Sequence, residues 1–125
     1  MKQLFYFTAL IGFLINCSCN KGENNPVFGE YNTLYTQIIY PGADTGTLRD
    51  QHVSVSYFAE GQIKVNDYYM YQGGNGNYFS GGNTSTNVNW SLQYFPERDS
   101  IEFRWNQYNI LGTSTSRYWR GTKVH

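Results

Sequence analysis

The stretch from Asn87 to Tyr108 constrains the fold more than any other. Two runs of alternating residues flank Pro96-Glu97-Arg98-Asp99, a four-residue turn with proline well placed at its start. Pairing the runs across that turn sets Tyr94 opposite Ile101, Leu92 opposite Phe103 and Trp90 opposite Trp105, all on one face. The same register sets Gln93 opposite Glu102, Ser91 opposite Arg104 and Asn89 opposite Asn106 on the other. Side chains alternate with a period of two along a strand, so a slip of one residue would invert both faces. One register sorts both, which predicts an antiparallel hairpin whose aromatic cross-strand pairs each contribute roughly 0.2–1 kcal/mol.

After residue 27 no window carries sustained 3.6-residue periodicity, and alternation dominates. Residues 30–40 read as a first strand with Leu34, Ile38 and Tyr40 on its apolar face, and residues 41–47 as a polar loop. Residues 49–58 read as a second strand, with Val53, Val55 and Tyr57 opposite Ser54 and Ser56 in direction. Residues 62–71 read as a third. A three-residue loop, Ala59-Glu60-Gly61, with Gly61 in the left-handed conformation pairs Tyr57 with Ile63 and Val55 with Val65. A two-residue loop would pair Ser56 with Val65 and split the faces.

The segment from Gln72 to Thr86 is either a long flexible loop or two glycine turns around a very short strand. The second reading is preferred because it gives Tyr78 and Phe79 a place. Residues 116–124, centred on Tyr118-Trp119-Arg120, read as the last strand. Aromatic residues make up 18% of the chain and suit a pleated, half-buried surface. The expected fold is all-β, an antiparallel meander of six to eight strands closing into a small barrel or a curled sandwich.

The first residues obey a different logic. Met1-Lys2-Gln3 carries one positive charge and precedes an apolar run from Leu4 to Ile15, well short of the ~20 residues a membrane-spanning helix needs. That is the form of a signal peptide. Ser18-Cys19-Asn20-Lys21 resembles the cleavage region of lipoproteins from the Bacteroidota. The resemblance implies lipidation of Cys19, with Cys17, preceded by Leu14-Ile15-Asn16, as the alternative. It also implies attachment to the outer membrane, facing the periplasm or the cell surface. Each buried methylene contributes roughly 0.8 kcal/mol, so two or three acyl chains hold a protein without any spanning helix. The expected organisation is a signal peptide at 1–18, a flexible tether at 19–27 rich in Asn, Gly and charge, and an all-β domain at 28–125.

Both cysteines fall at this boundary, so no disulfide is expected to support the domain. With His52 and His125 as the only histidines, no Cys/His metal cluster is expected, and no cofactor motif is found. Nine basic and nine acidic residues give a formal charge of zero, which argues against a nucleic-acid partner. A second resemblance follows from Phe28-Gly29-Glu30-Tyr31 together with Arg120. The pair is similar to lipocalin-like barrels, in which a Gly-x-Trp near the first strand packs against a late arginine. Tyr31 stands here in the place of tryptophan. The resemblance implies a barrel and no particular ligand.

Candidate chemistry is sparse. No G-x-S-x-G elbow accompanies either histidine, and His52, beside Arg49 and Asp50, reads as a solvated strand-edge residue. Among Asp67, Glu97, Asp99 and Glu102, Asp67 shares the parity of Ile63 and Val65, which would bring it toward the barrel interior or rim unless the inward pattern ends before it. Tyr68, Tyr69, Tyr71, Tyr78 and Phe79 cluster near the glycine-rich segment and form a candidate ligand or glycan surface. The expected function is a lipid-anchored, non-catalytic envelope module that binds a small hydrophobic ligand, a glycan or an envelope protein. The alternatives are a carboxylate-dependent hydrolase, and an inhibitor or immunity-type protein acting through the segment from Gly73 to Thr86.

Overall fold

The computed structural model describes residues 24–41 and 43–125. The expected signal peptide, both candidate lipid-bearing cysteines (Cys17 and Cys19) and most of the tether lie outside the described residues. Eight strands follow one another around a closed antiparallel barrel: β1 (Gly29–Tyr40), β2 (Ala43–Ala59), β3 (Gln62–Val65), β4 (Tyr68–Gln72), β5 (Tyr78–Asn83), β6 (Val88–Phe95), β7 (Ser100–Tyr108) and β8 (Ser114–Lys123). Each pairs with its neighbours in sequence, and β8 closes on β1. The all-β expectation is met as a barrel rather than a sandwich, the architecture that the lipocalin-like resemblance implies.

The β6–β7 hairpin has the expected register at every pair, from Asn89↔Asn106 to Tyr94↔Ile101. The β2–β3 hairpin pairs Val55↔Val65 and Tyr57↔Ile63, with Gly61 at φ 71°. In the preferred reading of the glycine-rich segment, β5 lies between two turns, but it is longer than expected because it runs through Gly81 and Gly82.

Three expectations about the strands are corrected. The third strand, read over residues 62–71, is two strands. Asn66 adopts φ 49° and hooks the corner onto β2, accepting from the Ser54 N–H and donating its own N–H to the Ser54 carbonyl, both at 2.9 Å. The polar loop read over residues 41–47 is strand from Ala43 onward. There Asp44 and Gly46, turn-like by composition, pair with Ile38 and Gln37 across register shifts that absorb the irregularity. The apolar face assigned to β1 is its outer face. Leu34 and Tyr40 are exposed, whereas Tyr31 and Thr33 are buried and Tyr35 and Gln37 are half-buried on the inside.

The connections β2–β3, β4–β5 and β6–β7 lie at one end of the barrel, which the residues before β1 close. Val27 is fully buried. The Asn25 side chain accepts from the Val27 N–H at 3.0 Å, and the Tyr31 hydroxyl donates to the Val27 carbonyl at 2.7 Å. Residues 25–27, placed by composition in the tether, thus belong to the barrel's closed end. Lys123 completes it. Its ammonium lies 5.7 Å from the Tyr31 ring and 3.5 Å from Asp99, and donates to the Pro26 carbonyl. The late cation facing the Gly-x-aromatic motif is therefore Lys123 and not Arg120. Inward positions on β8 are odd-numbered, and Arg120 points outward to Glu102 at 2.9 Å.

The Tyr94 hydroxyl donates to Asp99 at 2.7 Å. Burial first, and then this bond, push the Tyr94 phenol up to about 12. Burial, followed by Tyr94 and Asp99, raises the Tyr31 phenol further still. The same Tyr94 bond, with Lys123 and His125, holds the Asp99 carboxyl below the usual range against a smaller desolvation that opposes it.

Candidate functional site

The other end of the barrel is open, and its geometry follows from strand length. β3 and β4 have 4 and 5 residues, against 12 in β1, 17 in β2, 9 in β7 and 10 in β8. The wall is low at β3–β4, and beyond the Asn66–Ser54 contact β2 has no paired position on β3. Leu48, opposite the inward Tyr35, is 56% exposed there.

Two inward rows, read from the pairing registers, build the mouth. The lower runs Phe79–Leu92–Phe103–Trp119–Tyr35–Leu48. Phe79, Leu92 and Phe103 are buried and form its floor, with Trp119 stacked on Phe103 at 4.7 Å and Tyr35 at 4.9 Å from Trp119. The upper row runs Gly81–Trp90–Trp105–Arg117–Gln37–Gly46.

Arg117 is the chemically distinctive residue of the mouth. Its guanidinium lies over the Trp105 ring, 4.4 Å from the centroid. Its Nε–H donates to Gln37 Oε1 at 3.1 Å, and the Tyr35 hydroxyl donates to the same oxygen at 2.9 Å. Two donors on one oxygen hold the amide, and the amide and the indole face together position the guanidinium. No carboxylate among the described residues forms an ion pair with Arg117, whereas Arg104 and Arg120 on the outer wall share Glu102. Reading the sequence for motifs missed Arg117. The signal available was parity, since Arg117 lies two residues before Trp119 on one strand and so shares its face.

Trp90 finishes the wall where the β4–β5 ladder stops. Those strands pair only at Tyr71↔Ser80 and Gln72↔Phe79. Beyond, the Trp90 indole N–H donates to the Tyr69 carbonyl at 2.9 Å, a partner the missing ladder would otherwise have supplied. Gly81 is required beneath it, because a Cβ there would lie 2.4 Å from Trp90 Nε1 and 2.5 Å from the Tyr69 oxygen.

The five aromatic residues singled out by composition do not form one surface. Phe79 belongs to the core, and Tyr68 turns inward, 5.0 Å from Trp90 and 5.6 Å from Phe103. Tyr69, Tyr71 and Tyr78 are exposed on the outer wall, where Tyr69 packs on Phe58 at 4.6 Å. The segment from Gly73 to Thr86 is not a single recognition loop either, since β5 runs through its middle and its two turns sit at opposite ends of the barrel.

Asp67 occupies the exposed β3–β4 turn. Glu102 is engaged by its two arginines, and Asp99 by Tyr94, Lys123 and His125. His52 pairs with Glu30 on the outer wall. His/Cys/Asp/Glu groupings able to hold a metal are absent among the described residues. The outer wall also carries a groove of about 270 Å³ lined by Leu34, Thr36, Ile38, Arg104, Tyr118 and Arg120. The chain matches no family model and no curated protein sequence.

Proposed function

We propose that this chain is a non-catalytic binding module of the cell envelope, held at the outer membrane by a lipid on Cys19 or, alternatively, Cys17, and that it binds a small ligand in the open mouth of its barrel. The observation that carries the binding reading is the constellation around Arg117. A fixed guanidinium and the aromatic side chains of Tyr35, Trp105 and Trp119 converge on the β7–β8–β1 side of the mouth, across from the low rim at β3–β4. Ligand sites combine apolar walls with a few placed polar groups, and the barrel mouth is one of their preferred locations. The buried floor of Phe79, Leu92 and Phe103 favours a ligand seated in the mouth over one engulfed by the barrel.

A second reading, a glycan or envelope-protein partner on the outer wall, is favoured by the exposed row of Phe58, Tyr69, Tyr71 and Tyr78 across β2, β4 and β5. Native mass spectrometry of the protein extracted from its own membrane separates the two. A retained small molecule that is lost on Arg117→Gln supports the mouth. A retained glycan or protein that is lost on Tyr71→Ala and kept on Arg117→Gln supports the outer wall. The anchor is tested apart from the ligand: Cys19→Ala moves the protein to the soluble fraction, and continued membrane attachment transfers the lipid to Cys17.

A further inference from the structure

We propose that the mouth is a carboxylate site: Arg117, held by Gln37 and Trp105, receives the acid head of a small ligand whose apolar or aromatic body lies against Tyr35, Trp119 and Leu48. The proposal rests on the mouth reading given above and names its ligand chemistry.

The case begins with charge. A guanidinium is always protonated, and drawing one in from water is costly unless a counter-charge or a set of acceptors meets it. Three other cations of the barrel are given acids. Arg104 and Arg120 share Glu102, and Lys123 has Asp99. The chain as a whole has as many acids as bases. Arg117 is half-buried on the inner wall and among the described residues is given an amide oxygen and an indole face, but no carboxylate ion pair. Both partners position the group without neutralising it.

Geometry narrows the ligand. The Nε–H is committed to Gln37, which leaves the two terminal nitrogens to present their N–H groups as a planar fork, the shape that takes a carboxylate through two parallel bonds. Because the guanidinium is already held over Trp105 and bonded to Gln37, less freedom remains to be lost on binding. Below the fork the floor is filled, so the body of the ligand is short and lies across the mouth. The surfaces it meets there are the tilted Tyr35–Trp119 pair and the exposed Leu48.

The test uses a matched pair that differs only in the acid, 3-phenylpropanoate and 3-phenylpropanamide, titrated into the full lipidated chain in a non-ionic detergent. All three tryptophans of the chain (Trp90, Trp105 and Trp119) face the inside, so their indole N–H signals and the Arg117 Nε–H signal report the mouth by ¹⁵N NMR. The expected result is saturable movement of the Trp105 and Arg117 signals by the acid, at an affinity at least about ten-fold above that of the amide. Arg117→Gln removes the preference, so that acid and amide bind the variant with equal affinity. Arg117→Lys, which keeps the charge but loses the fork, weakens the acid several-fold, and decides the matter if the glutamine variant does not fold. Equal affinities for acid and amide at the same signals would overturn the carboxylate proposal and leave the mouth as a binding site. Silence of every indole toward both compounds would overturn the two together.

Discussion

Gly121 marks the closest approach of β8 to β1. A Cβ at this position would stand 1.9 Å from the Asn32 carbonyl oxygen and 2.6 Å from the Thr33 Cα. Both are backbone atoms of a paired strand and cannot swing aside. Gly121→Ala is therefore expected to destabilise the barrel by more than about 4 kcal/mol, lowering the midpoint of thermal unfolding by roughly 15 °C or more. Gly74 is the contrast: open space surrounds its missing Cβ, and its φ is not in the left-handed region. Gly74→Ala is expected to be neutral, or stabilising by less than about 1 kcal/mol through the unfolded chain. Calorimetry on the two variants checks both. A wild-type midpoint for Gly121→Ala would mean that β1 and β8 do not close the barrel as described.

At the scale of elements, the weakest seam is β4–β5, which has two paired positions against eight in β6–β7. Trp90 reinforces it by donating to the Tyr69 carbonyl. Trp90→Phe keeps an aromatic ring but leaves that carbonyl without its donor, at an expected cost of about 1 kcal/mol. The loss is expected to be local, with hydrogen exchange of the β4 and β5 amides accelerating more than that of β7 and β8. Uniform acceleration across the barrel would show that the indole bond is not what holds the seam.

The same contrast explains what the sequence discloses. β6–β7 is legible because each strand places apolar residues on one face and polar residues on the other, so a single register satisfies both. β1 is not, because its inward residues Tyr31, Thr33, Tyr35 and Gln37 are polar by composition. Tyr31 is met by Val27, just before the strand, while Gln51 and Arg117, the partners of Thr33 and Gln37, come from other strands. The break between β3 and β4 is hidden for a similar reason, since Asn66 turns the chain by gripping Ser54 on β2. Arg117 falls between these cases. Its parity is in the sequence, but its lack of an acid partner among the described residues is visible only once the rows are assembled.

At the scale of the whole molecule the barrel has two unlike ends, one sealed by hydrogen bonds and charge and one open. The sealed end predicts the pH response of stability. The Asp99 carboxyl is depressed in the fold, chiefly by the Tyr94 hydroxyl and then by Lys123 and His125. A group depressed on folding contributes its stability above its unfolded pKa, about 4 for aspartate, and loses that contribution as pH falls through the folded value. Tyr94 runs the opposite way. Pushed up to about 12 by burial and by Asp99, it contributes below its unfolded pKa of about 10 and loses that contribution as pH rises through 12. The sealed end is therefore complete between these limits, and acid weakens it by protonating one carboxylate that three side chains share. Asp99→Asn is expected to be less stable than wild type at neutral pH and to converge with it as the pH falls through the depressed Asp99 value, in urea unfolding midpoints followed from pH 7 downward. A constant gap between the two proteins across the acid range would mean that Asp99 acts through turn geometry, at its φ of 48°, rather than through its charge. A guanidinium stays protonated in proteins, so ligand affinity at the mouth should follow the protonation of the ligand's own acid while the sealed end weakens independently.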